Sequence, residues 1–188
     1  MNRLLFAVVL LVAAVPLAPV TAQDMPLSMF VKAGETWKPL PPSKPPVVSP
    51  VAVTIPDLGP AVATVTTADG GTLYAAAKAG RHVWAFRLGQ DGQAKDPAPY
   101  CPLRLKKGAE TLTVTDLTTD TAGRIYAATP DGIQVFDPTG RLSGVLLLPE
   151  VGTPNRLGWE GEQRDQLIVW IGPKKYGRFM KATGWPKE

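Results

Sequence analysis

Short hydrophobic stretches with alternating polar positions, each bounded by Gly, Asp or Pro, fill the chain from about residue 60 onward. This pattern is typical of β-strands joined by tight turns, because successive side chains of a strand point to opposite faces. Between Val65 and Ala182 it predicts roughly ten strands and no helix. The predicted fold is therefore an antiparallel all-β meander.

The strands recur as an internal repeat. TTADGGTLYAA (66–76) returns 52 residues later as TTDTAGRIYAA (118–128), and each copy leads into a second strand, HVWAFRL (82–88) or GIQVFD (132–137). A third, weaker unit begins near Asn155. Repeats of about 40 to 50 residues with four strands each are typical of β-propeller blades.

Two connecting stretches complete this interpretation. The apolar run at 145–148 reads as a strand that leads from one unit to the next. Residues 96–110, which lengthen the first unit, are predicted to be a loop between strands.

The N-terminus carries a targeting signal. Arg3 precedes an unbroken apolar run, Leu4–Val15, and small residues up to Ala22 supply a cleavage site. This order predicts a secretory signal peptide at 1–22 and no membrane span after its removal; the alternative is a retained membrane anchor. The mature protein is therefore expected outside the cytoplasm, in the periplasm or secreted.

Residues 23–60 are predicted to precede the main domain, which spans 61–188. A short strand is expected at Met29–Val31. Eight prolines follow between residues 39 and 60, so this part favours extended geometry and supplies few ladder donors. It is interpreted as a linker or a stiff surface strap, with one strand at 51–55.

Composition removes several classes of function. The 188 residues include one Cys and one His, and the net charge is +4. An internal disulfide framework and a His-based zinc site are therefore excluded, and nothing points to nucleic acid. Cys101 is predicted to be a free buried thiol, and His82 a structural residue at the start of a strand.

Three segments carry a family resemblance. DGGTLYAAAKAGRHVWAFRLGQDG (69–92) and DTAGRIYAATPDGIQVFDPTGRLSGVLLLPE (120–150) resemble the senescence marker protein/gluconolactonase family of six-bladed β-propellers. NRLGWEGEQRDQLIVW (155–170) is similar to a further family segment, with Trp159 and Gly161 at its aromatic and glycine positions. The resemblance covers roughly residues 60–182 and implies a partial, about three-bladed propeller.

The resemblance also implies what an active site would need. Enzymes of the family hold a divalent cation, usually calcium, with a Glu, several Asn and an Asp that is also the general base in lactone hydrolysis. Glu35 lies in a different setting from the family Glu, and the Asn position falls on Val62. The Asp position falls on Thr115, so Asp116 is the candidate metal ligand and catalytic base.

The other interpretation is that Asp116 caps a turn. Turn roles are also predicted for Asp69, Asp120, Asp131 and Asp137.

Two functions follow as hypotheses. The first is an exported binding or scaffolding module that has lost catalysis and contacts a carbohydrate or protein. The second is a sugar lactone hydrolase that uses Asp116 with calcium or another divalent cation. Three blades do not close a ring. The chain is therefore expected to pair as a homodimer of three plus three blades, to stay open with its N-terminal segment over one flank, or to be a truncated copy that folds poorly.

Overall fold

The computed structural model describes residues 25–47 and 49–185, so the predicted signal peptide at 1–22 lies outside the described residues. Within these ranges, no helix has the length and apolar character needed to span a bilayer. The described elements are a 3₁₀ turn at Leu27–Met29 and the strands β1 Lys38–Leu40, β2 Thr54–Ile55, β3 Gly59–Pro60, β4 Ala63–Thr66, β5 Thr72–Ala76, β6 His82–Leu88, β7 Ala94–Pro102, β8 Asp116–Asp120, β9 Ile125–Thr129, β10 Gly132–Phe136, β11 Leu142–Leu146, β12 Pro154–Glu160, β13 Gln166–Ile171, β14 Lys174–Phe179 and β15 Gly184–Trp185.

Three antiparallel sheets form the body of the molecule. The first has the order β4-β5-β6-β7, the second β11-β10-β9-β8-β15, and the third β1-β14-β13-β12. β4 and β12 both pack against β8, so the innermost strands of the three sheets lie side by side. We call the sheets the first, second and third blades. The predicted all-β meander is confirmed.

Hydrophobic clusters separate the blades. Tyr126 of the second blade, buried beside Trp159 of the third, lies in the cluster between those two blades. Val83 and Cys101 of the first blade pack with Phe136 in the cluster between the first and second. The second blade is thus covered on both faces, which is why every residue of β8, β9 and β10 is buried.

The two turns of the second blade share the sequence Asp-x-x-Gly-Arg. Asp120 Oδ1 accepts the backbone N–H groups of Ala122 and Arg124, both at 3.0 Å. Asp137 Oδ1 accepts those of Thr139 and Arg141 at 2.8 and 3.1 Å. The glycine of each turn has φ near +80°, a conformation that favours glycine. The turn roles predicted for these aspartates are confirmed.

The N-terminal segment differs from its prediction. The strand expected at Met29–Val31 does not form; Leu27–Met29 makes a 3₁₀ turn, and Val31 only forms an isolated bridge with Met180. Phe30 is buried between the second and third blades, a position that suits a packed turn better than an exposed strand. The strand of this segment is β1, which pairs with β14 and completes the third blade.

Residues 41–47, 49 and 50, which we call the strap, lie between β1 of the third blade and Val51, which bonds Thr64 of the first blade. After the strap, the strand expected at 51–55 is reduced to Thr54–Ile55, paired with β3. Ile55 packs in the cluster on the outer face of the first blade. The N-terminal segment therefore covers parts of both outer blades.

The loop expected at 96–110 is wrong over its first half, because β7 extends through Pro102 as the edge strand of the first blade. Pro97 and Pro99 are tolerated there because an edge strand has one side without a partner. The rest of the excursion is tied to the second blade by Gln134, whose side chain bonds both the N–H and the carbonyl of Arg104.

Candidate functional site

A cleft of about 770 Å³ opens where the innermost strands of the three blades meet. The strap runs along its open side, and β15 pairs with β8 beside it. The described lining residues are Ser43, Lys44, Pro46 and Pro50 from the strap, 62–65, 116–118 and 156–161 from the innermost strands, and Arg164, Trp170 and Trp185. In a propeller this place corresponds to the central axis, so we call it the axial cleft.

Asp116, the candidate ligand and base, is buried at the start of β8 and lines the axial cleft. Its Oδ2 accepts the backbone N–H of Leu157 at 2.7 Å. Its Oδ1 accepts Nη1 of Arg156 at 3.3 Å. Both donors belong to β12, so Asp116 joins the second blade to the third and is not a simple turn cap.

The charge state of Asp116 reflects two opposed effects. Burial raises the pKa of its carboxyl above the ordinary value of 3.8, because a charge in a poorly solvated site is costly. The hydrogen bond from Leu157 and the charge of Arg156 act in the opposite direction and only partly offset that rise.

The surroundings of Asp116 do not match a calcium site. Calcium takes six to eight oxygen ligands, usually with several carboxylates. In the part of the chain that the structure describes, no three His, Cys, Asp or Glu side chains lie close enough to hold a metal ion. Each oxygen of Asp116 already accepts a hydrogen bond, and a guanidinium occupies the position of a counter-ion. The residues present therefore do not fit the metal that the family resemblance implies.

Tryptophans give the axial cleft its apolar surface. Trp170 is 3% exposed and donates its indole N–H to the carbonyl of Ser43 at 3.1 Å. Its ring lies over Gly158, where an added Cβ would come within 3.3 Å of it. Lys175 places Nζ 5.5 Å from the ring centroid and bonds Glu160 at 2.8 Å. These contacts fix the indole as a rigid wall beside the strap.

Two buried donors of cleft residues lack a partner within the described residues. They are Nε of Arg156 and Nε1 of Trp159. Buried polar groups are nearly always hydrogen-bonded, so these two donors are polar groups of the cleft lining whose partners the described residues do not supply. A ligand that meets them must supply oxygen acceptors and an apolar face.

The structure distributes the other candidates widely. Val62 lines the axial cleft, where its side chain offers no ligand atom. Glu35 pairs with Lys38 at 3.5 Å, and Thr115 points its hydroxyl to the carbonyl of Ala128 at 3.4 Å. His82 begins β6 and Cys101 is a buried free thiol, as predicted.

Burial raises the pKa of Cys101 to about 12, so its thiol is unreactive at neutral pH. The remaining predicted turn residues also have structural roles. Asp69 accepts the N–H of Gly71 at 3.0 Å, and Asp131 pairs with Lys106.

Sequence reasoning missed Arg156, Trp170, Trp185 and the strap residues as parts of one site. Arg156 alternates with buried Leu157 along β12, and such a half-buried Arg on an innermost strand was a usable signal. The strap residues had none, because polyproline sequence says nothing about which surface it follows.

Comparison with known proteins shows which solved structures have a similar fold. No family model matches the sequence, and no curated protein matches it. Among solved structures, a gluconolactonase from Xanthomonas campestris matches with 20% identity and a TM-score of 0.53, covering 67% of this chain and 39% of its own. A second protein assigned to the gluconolactonases has 17% identity and a TM-score of 0.56, covering 70% and 42%.

A luciferin-regenerating enzyme is similar at 14% identity, with a TM-score of 0.51 and coverage of 66% and 45%. At such identities the similarity shows the fold, and the expected likeness to gluconolactonase-type β-propellers is confirmed at that level. The chain spans about two fifths of the length of the gluconolactonases it matches.

Proposed function

We propose that the protein is a non-catalytic binding module that holds a small saccharide in the axial cleft. The hydroxyl oxygens of a saccharide can accept hydrogen bonds from the unpaired N–H donors. The apolar face of its ring can pack on tryptophan. The observation that carries the proposal is the pair of buried, unpartnered donors on Arg156 and Trp159 in the described residues. The sequence signal at 1–22 supports export, so we propose an extracytoplasmic role.

The second part of the proposal is that Asp116 does not act as a catalytic base. A general base must reach the proton that it removes, and both oxygens of Asp116 face donors of β12 instead. Arg156 also disfavours a divalent cation at the same carboxylate by charge repulsion. We therefore propose that calcium plays no part in binding.

Isothermal calorimetry with D-glucose, D-gluconate and D-glucuronate tests the binding proposal. At least one of them should bind the wild type, and Arg156→Lys should weaken that binding about 10- to 100-fold, because a charged hydrogen-bond donor is worth about 1.5–3 kcal/mol. Arg87→Lys is the matched control, since Arg87 pairs with Asp96 on the exposed edge of the first blade. Absence of binding to all three sugars, or equal binding by Arg156→Lys, would contradict the proposal.

The second candidate, a metal-dependent sugar lactone hydrolase, is favoured by one observation. Asp116 lies in the axial cleft with a raised pKa, as a general base often does. Hydrolysis of D-glucono-1,5-lactone with and without calcium separates the candidates. We expect only the buffer rate. Turnover that Asp116→Asn abolishes and the turn variant Asp131→Asn retains would establish the hydrolase and overturn the binding module.

We also propose that the protein acts as a monomer. A three-plus-three ring would use the outer faces of the first and third blades. In the structure, Ile55 covers part of the first face, and Ser43 contacts Trp170 on the third. A second copy would have to displace this segment before it could pair.

A further inference from the structure

We infer that the strap is a gate that opens and closes the axial cleft, so that its described residues 44–47, 49 and 50 control the entry of the ligand. The inference concerns regulation of the site in the proposed function and rests on that function for the identity of the cleft as a binding site.

The strap forms a wall that the blades do not supply. Lys44, Pro46 and Pro50 line the axial cleft, yet each is itself solvent-exposed. A segment with one side on a cavity and the other in water separates the two. Displacement of these residues would therefore widen the opening of the cleft without moving a blade.

Two hydrogen bonds fasten the strap at its ends. The carbonyl of Ser43 accepts the indole N–H of Trp170 at 3.1 Å. The backbone N–H of Val51 donates to Oγ1 of Thr64 at 2.7 Å. The described residues between these points, 44–47, 49 and 50, make no hydrogen bond to the blades.

The segments beyond the ends are firmly held. Before the strap, Lys38–Leu40 pairs with β14 along three residues. After it, Ala61 bonds the carbonyl of Val53 at 3.0 Å, and Ile55 is fully buried. A segment with few buried contacts opens at low free energy compared with the whole fold. The strap can therefore swing away while the flanking segments, Lys38–Leu40 on one side and the part around Ile55 on the other, remain docked.

Exchange of the indole N–H groups with solvent, followed by NMR, tests the gate directly. Trp170 donates to the strap, whereas Trp37 of the same N-terminal segment donates to the carbonyl of Leu147 at 2.7 Å, away from the cleft. Thr64→Val removes the acceptor for Val51 with little change in shape. We expect about fivefold faster exchange of the Trp170 indole, since one hydrogen bond is worth about 1 kcal/mol, and no change for Trp37.

Thr115→Val is the matched control, because Thr115 carries the same group on the second blade and does not touch the strap. It should leave both indoles unchanged. Unaltered exchange of the Trp170 indole in Thr64→Val, or equal acceleration of Trp37, would overturn the gate.

A measurement on the wild type covers the case in which Thr64→Val does not fold. With rising urea below the unfolding transition, exchange of the Trp170 indole should stay nearly constant, as expected for a local opening. Exchange of the backbone amide of Ile133, buried in β10, should follow global unfolding. If exchange of the Trp170 indole shows the same urea dependence as exchange of the Ile133 amide, both require global unfolding and the gate is refuted. No sugar is present in these samples, so the exchange rates test the motion of the strap independently of saccharide binding.

Discussion

The first and second blades contain the similar sequences 66–76 and 118–128, yet the turns after their innermost strands differ in burial and in number of hydrogen bonds. The first turn is held by exposed Asp69, which accepts bonds from Thr67 and Gly71. The second is held by Asp120, which is fully buried and bonds Arg124 and Tyr126 as well as the turn. The second blade has a blade on each side. The similar sequences therefore encode the local turn, and the blades packed beside it determine how much the turn contributes to the stability of the fold.

The largest expected effect comes from removing the buried carboxylate. Asp120→Ala leaves the guanidinium of Arg124 and the hydroxyl of Tyr126 without their partner, so we expect a loss of about 4 kcal/mol in the free energy of unfolding. Asp69→Ala, the matched change in the exposed turn, should cost far less. Urea denaturation of both variants checks this, and equal losses would remove the distinction between the blades.

The N-terminal segment also contributes to the core, because Phe30 is buried in the cluster between the second and third blades. Phe30 is 1% exposed and packs edge-on against Tyr126, with ring centroids 6.3 Å apart. Phe30→Ala should cost about 3 kcal/mol, through lost burial and the cavity left behind. Met29→Ala is the control, since Met29 is 54% exposed. A cost for Phe30→Ala no greater than for Met29→Ala would show that the segment is not part of the core.

A smaller effect isolates one hydrogen bond. Tyr126 donates its hydroxyl to Oδ2 of Asp120 at 2.9 Å, and Tyr74 is its counterpart in the repeat of the first blade. Tyr126→Phe should cost about 1–2 kcal/mol, because the buried carboxylate loses a donor. Tyr74→Phe should be nearly neutral, as no hydroxyl bond of Tyr74 is present in the described residues. Thermal denaturation of both variants and of the wild type measures the two losses of stability. A greater loss for Tyr74→Phe than for Tyr126→Phe would contradict the greater contribution assigned to the second blade.

The smallest effect concerns pH and compares two aspartates of the second blade. Burial raises the pKa of Asp116, so its contribution to stability is present below pH 3.8 and is lost as pH rises through the folded-state pKa. For Asp137, burial alone would raise the pKa, but hydrogen bonds from Thr139 and Arg141 outweigh it and hold the pKa below 3.8. Its contribution is present above that pH and is lost as pH falls.

Urea denaturation between pH 7 and pH 3 tests these opposite signs. The stability of the wild type minus that of Asp116→Asn should increase toward low pH. The same difference for Asp137→Asn should decrease. Two differences that change in the same direction would contradict the assigned pKa shifts.

Much of the fold was predictable because it depends on local rules. Alternation and Asp/Gly turns located the strands of the second and third blades, and the repeat placed Asp120 and Asp137 in turns. The predicted strand at Met29–Val31 is replaced by a 3₁₀ turn, because the burial of Phe30 between two blades is a tertiary contact that local sequence does not encode. Residues 96–102 belong to β7 and not to the predicted loop, because their prolines are compatible with a strand at a sheet edge, and the edge is defined only by the assembled sheet.

The site was less predictable than the fold. Asp116 was found through a family pattern, but its contacts with Arg156 and Leu157 join strands 40 residues apart in the chain. The role of the strap depends on Trp170, which lies 127 residues beyond Ser43. No local pattern encodes contacts of that separation.

Sedimentation velocity of the chain from residue 23 onward tests the central claim most directly, namely that the N-terminal segment takes the place of neighbouring blades. The account predicts one species of monomer mass from micromolar to several hundred micromolar protein. A dimer that persists on dilution would show that the outer blade faces pair with a second copy and would contradict the account.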